Sequence, residues 1–87
     1  MRLKRPFEIM EVEGQHFATP LEEEPGGFNG VIRLSKTARV IFEQLQEETT
    51  EDAIVAEMER RFDAPRDVLA ADVHRVLEQF RAKALLT

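Results

Sequence analysis

The sequence predicts an α+β domain, a three-stranded antiparallel sheet followed by three helices. Two observations predict it. Apolar residues alternate with period two before residue 35 and recur every three or four residues after it, and the junctions carry turn and cap residues. At 87 residues the chain has room for one domain, residues 1–87, which buries roughly 60 to 65 per cent of its unfolded surface. With 43% hydrophobic and 33% charged residues, it is too apolar for a disordered tail and too interrupted by charge for a membrane span.

The first element is "FEIMEV" at 7–12, with Phe7 and Ile9 on one side and Glu8, Met10 and Val12 on the other. Glu13 and Gly14 supply a tight turn, and "QHFATPL" at 15–21 returns as a second strand on which Phe17 and Thr19 share a face. Pro20 has no N–H for a ladder, so it ends this strand or sits at an edge. From Glu22 to Gly30 the composition turns to acids, one proline and three glycines, the mark of a mobile loop. Phe28 inside it reads as a plug over the core in preference to a contact for a partner. "VIRL" at 31–34 alternates again, Ile32 and Leu34 against Val31 and Arg33.

Ser35 is placed to cap a helix running from about Lys36 to Glu47, with Ala38, Ile41, Phe42 and Leu45 on its apolar face. Thr49 with Asp52 resembles a capping box and opens a second helix, buried through Ile54 or Val55, Met58 and Phe62. Asp63 and Pro65 punctuate the next junction. The third helix, from about Pro65 to Lys83, has the clearest stripe: Leu69, Val73, Val76, Leu77, Phe80 and Ala84.

The residue inventory argues against catalysis. With no cysteine, disulfides, thiolate metal sites and a thiol nucleophile are excluded, and the composition suits a reducing, cytoplasmic setting. "MRLKRPFEIM" is basic but lacks the apolar run of a secretion signal. The single serine, Ser35, is expected to cap a helix and not to attack a substrate. His16 in a strand and His74 on a helix flank are too far apart in sequence to form a local zinc-ligand pair. The carboxylates fall in the loop at 22–24 and in first turns, where they are solvated or complement a helix dipole. "GGFNG" leads into a strand instead of a helix, so it lacks the geometry of a phosphate loop. No catalytic, metal or cofactor site is expected. A net charge of −5 with no concentrated basic face also leaves nothing to drive nucleic-acid binding.

From Phe28 onward the chain resembles the PqqD-like family, small domains that recognise the leader region of ribosomally made, post-translationally modified peptides. The resemblance rests on a strand followed by "LSKTA", the pair Ile41-Phe42, a second helix closing on an aromatic before Asp63, and "DVHRVLEQF" near the end. It implies a winged helix-turn-helix-like domain with no activity of its own. Such a domain takes the leader peptide as an added strand in a groove between the third strand and the third helix. It then presents the peptide to a modifying enzyme, often a radical S-adenosylmethionine protein. Carried onto this chain, the docking edge is Val31, Ile32, Arg33 and Leu34. The helix wall is Val68, Asp72, Arg75 and Gln79, with Val76 of the adjoining stripe; His74 and Arg81 lie on the other flank. The chain departs from the family pattern at Ser35, where asparagine is commoner, at Phe42, where tryptophan is frequent, and at Ala84, where glycine usually ends the last helix.

Two other readings compete. A winged-helix DNA binder would place the third helix in the major groove, but that helix mixes Arg66, Arg75, Arg81 and Lys83 with Asp67, Asp72 and Glu78. A structural subunit of a larger enzyme would have its sheet edge covered by a partner chain. A free edge also admits pairing with a second copy, giving a homodimer.

Overall fold

Two residues at positive φ set the register of the sheet. Glu13 and Gly14, at φ 52° and 79°, form the two-residue turn whose twist matches its flanking strands. Strand β1 (Phe7–Val12) is thereby laid against β2 (Gln15–Pro20), with Val12 opposite Gln15 and Phe7 opposite Pro20. Strand β3 (Ile32–Leu34) pairs antiparallel with the other side of β2, Ala18 opposite Ile32 and His16 opposite Leu34, so the order is β1-β2-β3. The computed structural model describes residues 1–22 and 30–87. The expectations placed on Phe28 and on most of the 22–30 loop fall outside those residues.

Helices α1 (Lys36–Gln44), α2 (Glu51–Arg61) and α3 (Arg66–Ala82) follow the sheet, completing the α+β, winged helix-turn-helix-like architecture. The sheet turns Phe7, Ile9, Ala18, Ile32 and Leu34 toward the core they share with the helices. Phe17 and Thr19 do share a face, but it is the outer one. The core contact of β2 is Ala18, which is fully buried. Phe42 of α1 joins the layers: its ring meets Phe7 of β1 at 5.2 Å and Phe80 of α3 at 5.4 Å, both edge to face.

The ends of the helices depart from the expected ones for non-local reasons. Ser35 caps α1 as expected, its Oγ accepting the Ala38 N–H at 3.1 Å. The helix stops at Gln44, short of Glu47, because the groups that would bond to each other in the next turn are engaged elsewhere. The Leu45 carbonyl accepts from the Leu3 N–H (2.8 Å), and the Thr49 N–H donates to the Met1 carbonyl (3.0 Å). The cap of α2 is Thr50 and not Thr49: its hydroxyl accepts the Ala53 N–H at 3.1 Å. Both Ile54 and Val55 are buried, with Met58.

Ala84, expected on the core face of α3, lies beyond the helix, exposed and at φ 57°. Its N–H donates to the Arg81 carbonyl (2.9 Å) and the Leu85 N–H to the Phe80 carbonyl (3.0 Å), the double bond of a Schellman turn with alanine where glycine is preferred. The turn sends Leu85 and Leu86 back into the core. There Leu86 bridges to Leu3, and the Lys4 N–H donates to the Leu85 carbonyl at 2.9 Å.

Near the end of α2, Glu57 receives Arg60 (2.9 and 2.8 Å) and Arg61 (2.6 Å). These two guanidinium partners lower its carboxyl to about 2 from 4.5. A depressed carboxylate stabilises the fold above its unfolded value and loses that contribution as pH falls through its folded one.

Two outcomes follow from this packing. Ala84→Gly is expected to raise stability by about 0.5–1 kcal/mol, since glycine adopts the left-handed conformation without steric cost. Thermal unfolding followed by circular dichroism reads this as a rise of a few degrees, and an unchanged or lower midpoint would contradict the turn geometry. Glu57→Gln should flatten the loss of stability between pH 4.5 and about 2, measured by urea unfolding at stepped pH. An acid limb identical to that of the parent chain would show that the Arg60 and Arg61 bonds do not act in solution.

Candidate functional site

Backbone parity decides what the edge of the sheet offers. The Leu21 N–H donates to the Pro6 carbonyl at 3.1 Å. Antiparallel pairs alternate between bonded and non-bonded, so the bonded pairs of the hairpin are 6 with 21, 8 with 19, 10 with 17 and 12 with 15. The even-numbered residues of β2 therefore turn their peptide groups toward β3, and Ala18 and His16 bond Ile32 and Leu34. By the same alternation, the N–H and C=O of Arg33 point away from the sheet, as do those of Val31. Pro20, which has no N–H to offer, occupies the even position past the last β2–β3 pair.

Among the described residues no strand lies outside β3. The C-terminal tail pairs with Leu3 on the segment leading into β1, at the other end of the strand order. The strand expected over 31–34 begins at Ile32, so Val31 stands one residue before it, 60% exposed. The side chains of Ile32 and Leu34 are buried in the core and that of Arg33 is exposed. The edge therefore presents backbone, one cation and one valine. Its shortness and charge are also the usual protections against self-association.

The residues expected to form a wall on α3 fall into two groups. Val76 is buried in the same core cluster as Ile32 and Leu34. Val68 (50% exposed), Asp72, Arg75 and Gln79 face outward as a stripe spaced four, three and four residues apart, roughly 16 Å long at 1.5 Å per residue. Asp72 and Arg75 hold each other at 3.4 Å.

Three clefts are formed by elements other than α3. One, of about 430 Å³, lies along residues 2–7 with Leu21 and Gln46. Another, of about 500 Å³, sits at the C-terminal end of β3 and brings Arg33 and Leu34 together with His16 and Lys36. A third, of about 600 Å³, continues from Gly14, His16 and Lys36 to Arg39 and Arg61. The grouping of Arg33 with His16 and Lys36 was not legible from spacing, since His16 arrives from the neighbouring strand. The one local signal is Lys36, a cation in a first turn that carries no acid.

The other candidate side chains stay apart. The Ser35 hydroxyl is engaged as a cap. His16 Nδ1 lies 3.4 Å from Glu11 and His74 Nδ1 3.1 Å from Glu51. Among the described residues no three His, Asp or Glu side chains are grouped to hold a metal, and no helix is long and apolar enough to cross a membrane.

Comparison with known proteins bears on this geometry. The family model for coenzyme PQQ synthesis protein D (PqqD) matches residues 9–86, from β1 to the buried tail. Among solved structures, the chain is similar to one described as TbiB1 in complex with the TbiA(beta) leader peptide. The TM-score is 0.74 at 16% identity, over 99% of this chain and 94% of that chain; at that identity the likeness speaks for the fold. No curated protein sequence matches the chain.

The parity of β3 is open to direct measurement. In amide hydrogen exchange followed by NMR, the Ile32 and Leu34 N–H groups should be protected and that of Arg33 should exchange at a rate near that of an open chain. Protection of Arg33 together with exchange at Ile32 would invert the assignment of the free edge.

Proposed function

The chain belongs to the PqqD family, and from that premise we propose that it is a non-catalytic peptide-binding domain. It captures the leader region of a ribosomally made precursor by strand addition to β3 and presents it to a modifying enzyme. The observation that carries this reading is the pair of outward-facing peptide groups at Val31 and Arg33, on an edge that neither the tail nor another described strand covers. The complex named for the similar fold, TbiB1 with a leader peptide, supports the same class of ligand.

Magnitudes divide the work between backbone and side chains. Val31 and Arg33 offer two N–H and two C=O groups, at about 1 kcal/mol net each once exchange with water is counted. Micromolar affinity needs about 8 kcal/mol, so the ladder alone falls short. The remainder must come from apolar anchors, about 1.5–3 kcal/mol each, against the cost of ordering a disordered peptide. The α3 stripe of Val68, Asp72, Arg75 and Gln79, with Val76 at its inner margin, supplies the wall for such anchors. Backbone pairing reads no sequence, so these side chains select the peptide. The modifying enzyme in this reading is of the radical S-adenosylmethionine type, and the compartment is the cytoplasm.

The charge arrangement on α3 disfavours the nucleic-acid alternative. Arg75 is held by Asp72 at 3.4 Å, Arg81 by Glu78 at 2.6 Å, and Arg66 by Glu59. A helix whose arginines are matched by its own acids and those of α2 presents little charge to phosphates.

An NMR titration tests the proposal, using synthetic peptides that span any short open reading frames found beside this gene. Amide shifts are expected at residues 30–35 and 68–79; shifts confined to α1 or the β1–β2 hairpin would overturn it. Substitution refines the test, because the two candidate positions are not equivalent. Arg33→Pro removes an outward donor and should weaken binding about fivefold with the fold retained. Ile32→Pro removes a bond to β2 and should lower thermal stability. Equal peptide affinity in the parent and a folded Arg33→Pro variant would rule out strand addition at this edge.

A further inference from the structure

Six arginines of this acidic chain are neutralised in place. Arg39 lies 3.0 Å from Glu43, and Arg60 and Arg61 lie 2.8 and 2.6 Å from Glu57. The arginines of α3 are matched by Glu59, Asp72 and Glu78. Among the described residues Arg33 and Lys36 have no carboxylate partner, and they share one cleft. It holds about 500 Å³ at the C-terminal end of β3, with Gly14, His16 and Leu34 on its walls. The adjoining cleft shares Gly14, His16 and Lys36 and is lined also by Glu11 and by Arg39 and Arg61, the two arginines already paired with Glu43 and Glu57. Glu11, the acid that borders it, is already faced by His16 at 3.4 Å and Arg39 at 3.9 Å. The 500 Å³ cleft is thus cation-lined and acid-free, and Arg33, whose peptide groups point outward from the sheet, is one of its walls.

Resting on the peptide-binding reading above, we propose that this cleft receives the carboxylate of an Asp or Glu side chain in the peptide added to β3. The acid sits at the end of the paired segment that passes Leu34. In an antiparallel addition, which continues the pattern of the sheet, that is the N-terminal end of the segment. The backbone ladder is indifferent to sequence. The cleft adds a selecting contact that attracts an acid, repels lysine or arginine at the same place, and fixes which residues of the peptide fall opposite Arg33. Because Arg33 and Lys36 are exposed, the contact should be salt-sensitive.

Selection from a displayed library of random dodecapeptides against the full chain tests this, whatever the natural ligand is. The expected result is enrichment of Asp or Glu at one position, flanking an alternating apolar segment, in peptides whose binding shifts the amides of residues 31–36. The R33Q/K36Q variant should lose that enrichment. For one enriched peptide, replacing its acid by Gln, or using the R33Q/K36Q protein, should each weaken binding about fivefold, and the two together no further. The R81Q control, on the other flank of α3, should leave the acidic preference intact. Enriched peptides that shift residues 31–35 without any acidic preference would overturn the cleft assignment while leaving peptide binding at β3 standing. Selection that yields no peptide perturbing residues 31–35 would overturn both.

Discussion

A strand has two sides for hydrogen bonding, and β2 uses both, one for β1 and one for β3. Among the described residues β3 has a neighbour on one side alone. Because antiparallel bonding alternates, the choice made at the hairpin turn is carried across the sheet: Ile32 and Leu34 are turned inward and Arg33 outward. The positive φ of Glu13 and Gly14 therefore reaches well beyond the turn. A one-residue slip would exchange the bonding roles of β3 and move Ile32 and Leu34 out of the core.

Residues 3–4 and 85–86 are paired with each other at the end of the strand order opposite β3. The Schellman turn at Ala84 directs Leu85 and Leu86 under the N-terminal segment, where Leu3 and Lys4 receive them. That same segment takes the Leu45 carbonyl and the Thr49 N–H, so it both ends α1 and anchors the tail. Buried side chains at Leu3, Leu85 and Leu86 lock the arrangement, since withdrawing the tail would expose all three to water. Holding the tail this way at the cost of a non-glycine residue at φ 57° places local strain at the service of the topology.

Recognition at such an edge divides into a part that reads nothing and a part that reads charge and shape. In the proposed strand addition, the ladder at Val31 and Arg33 would accept any extended backbone. The side chains proposed to read the peptide differ in charge balance: Asp72 and Arg75 are paired on α3, whereas Arg33 and Lys36 share an acid-free cleft. Local charge balance, and not the net charge of −5, is what a docking peptide meets, because at physiological salt the field of an exposed group fades within about 8 Å.

The sequence by itself determined what depends on neighbours along the chain. Alternation marked the three strands, the spacing of Leu69, Val73, Val76, Leu77 and Phe80 marked α3, and Ser35 marked the start of α1, because a cap bonds a group three residues away. The departure of Ala84 from glycine was likewise visible in the residue itself. Only the tertiary structure decided the rest. Phe17 lies on the outer face and Ala18 on the inner because packing against the helices selects the face, and alternation alone does not. Helix α1 ends at Gln44, and Thr50 in place of Thr49 begins α2, because Met1 and Leu3 return from more than forty residues away to take the peptide groups between. The meeting of His16 with Arg33 and Lys36 needed the β2–β3 register. Each is a contact between segments distant in sequence, and periodicity along one segment carries no record of what folds against it.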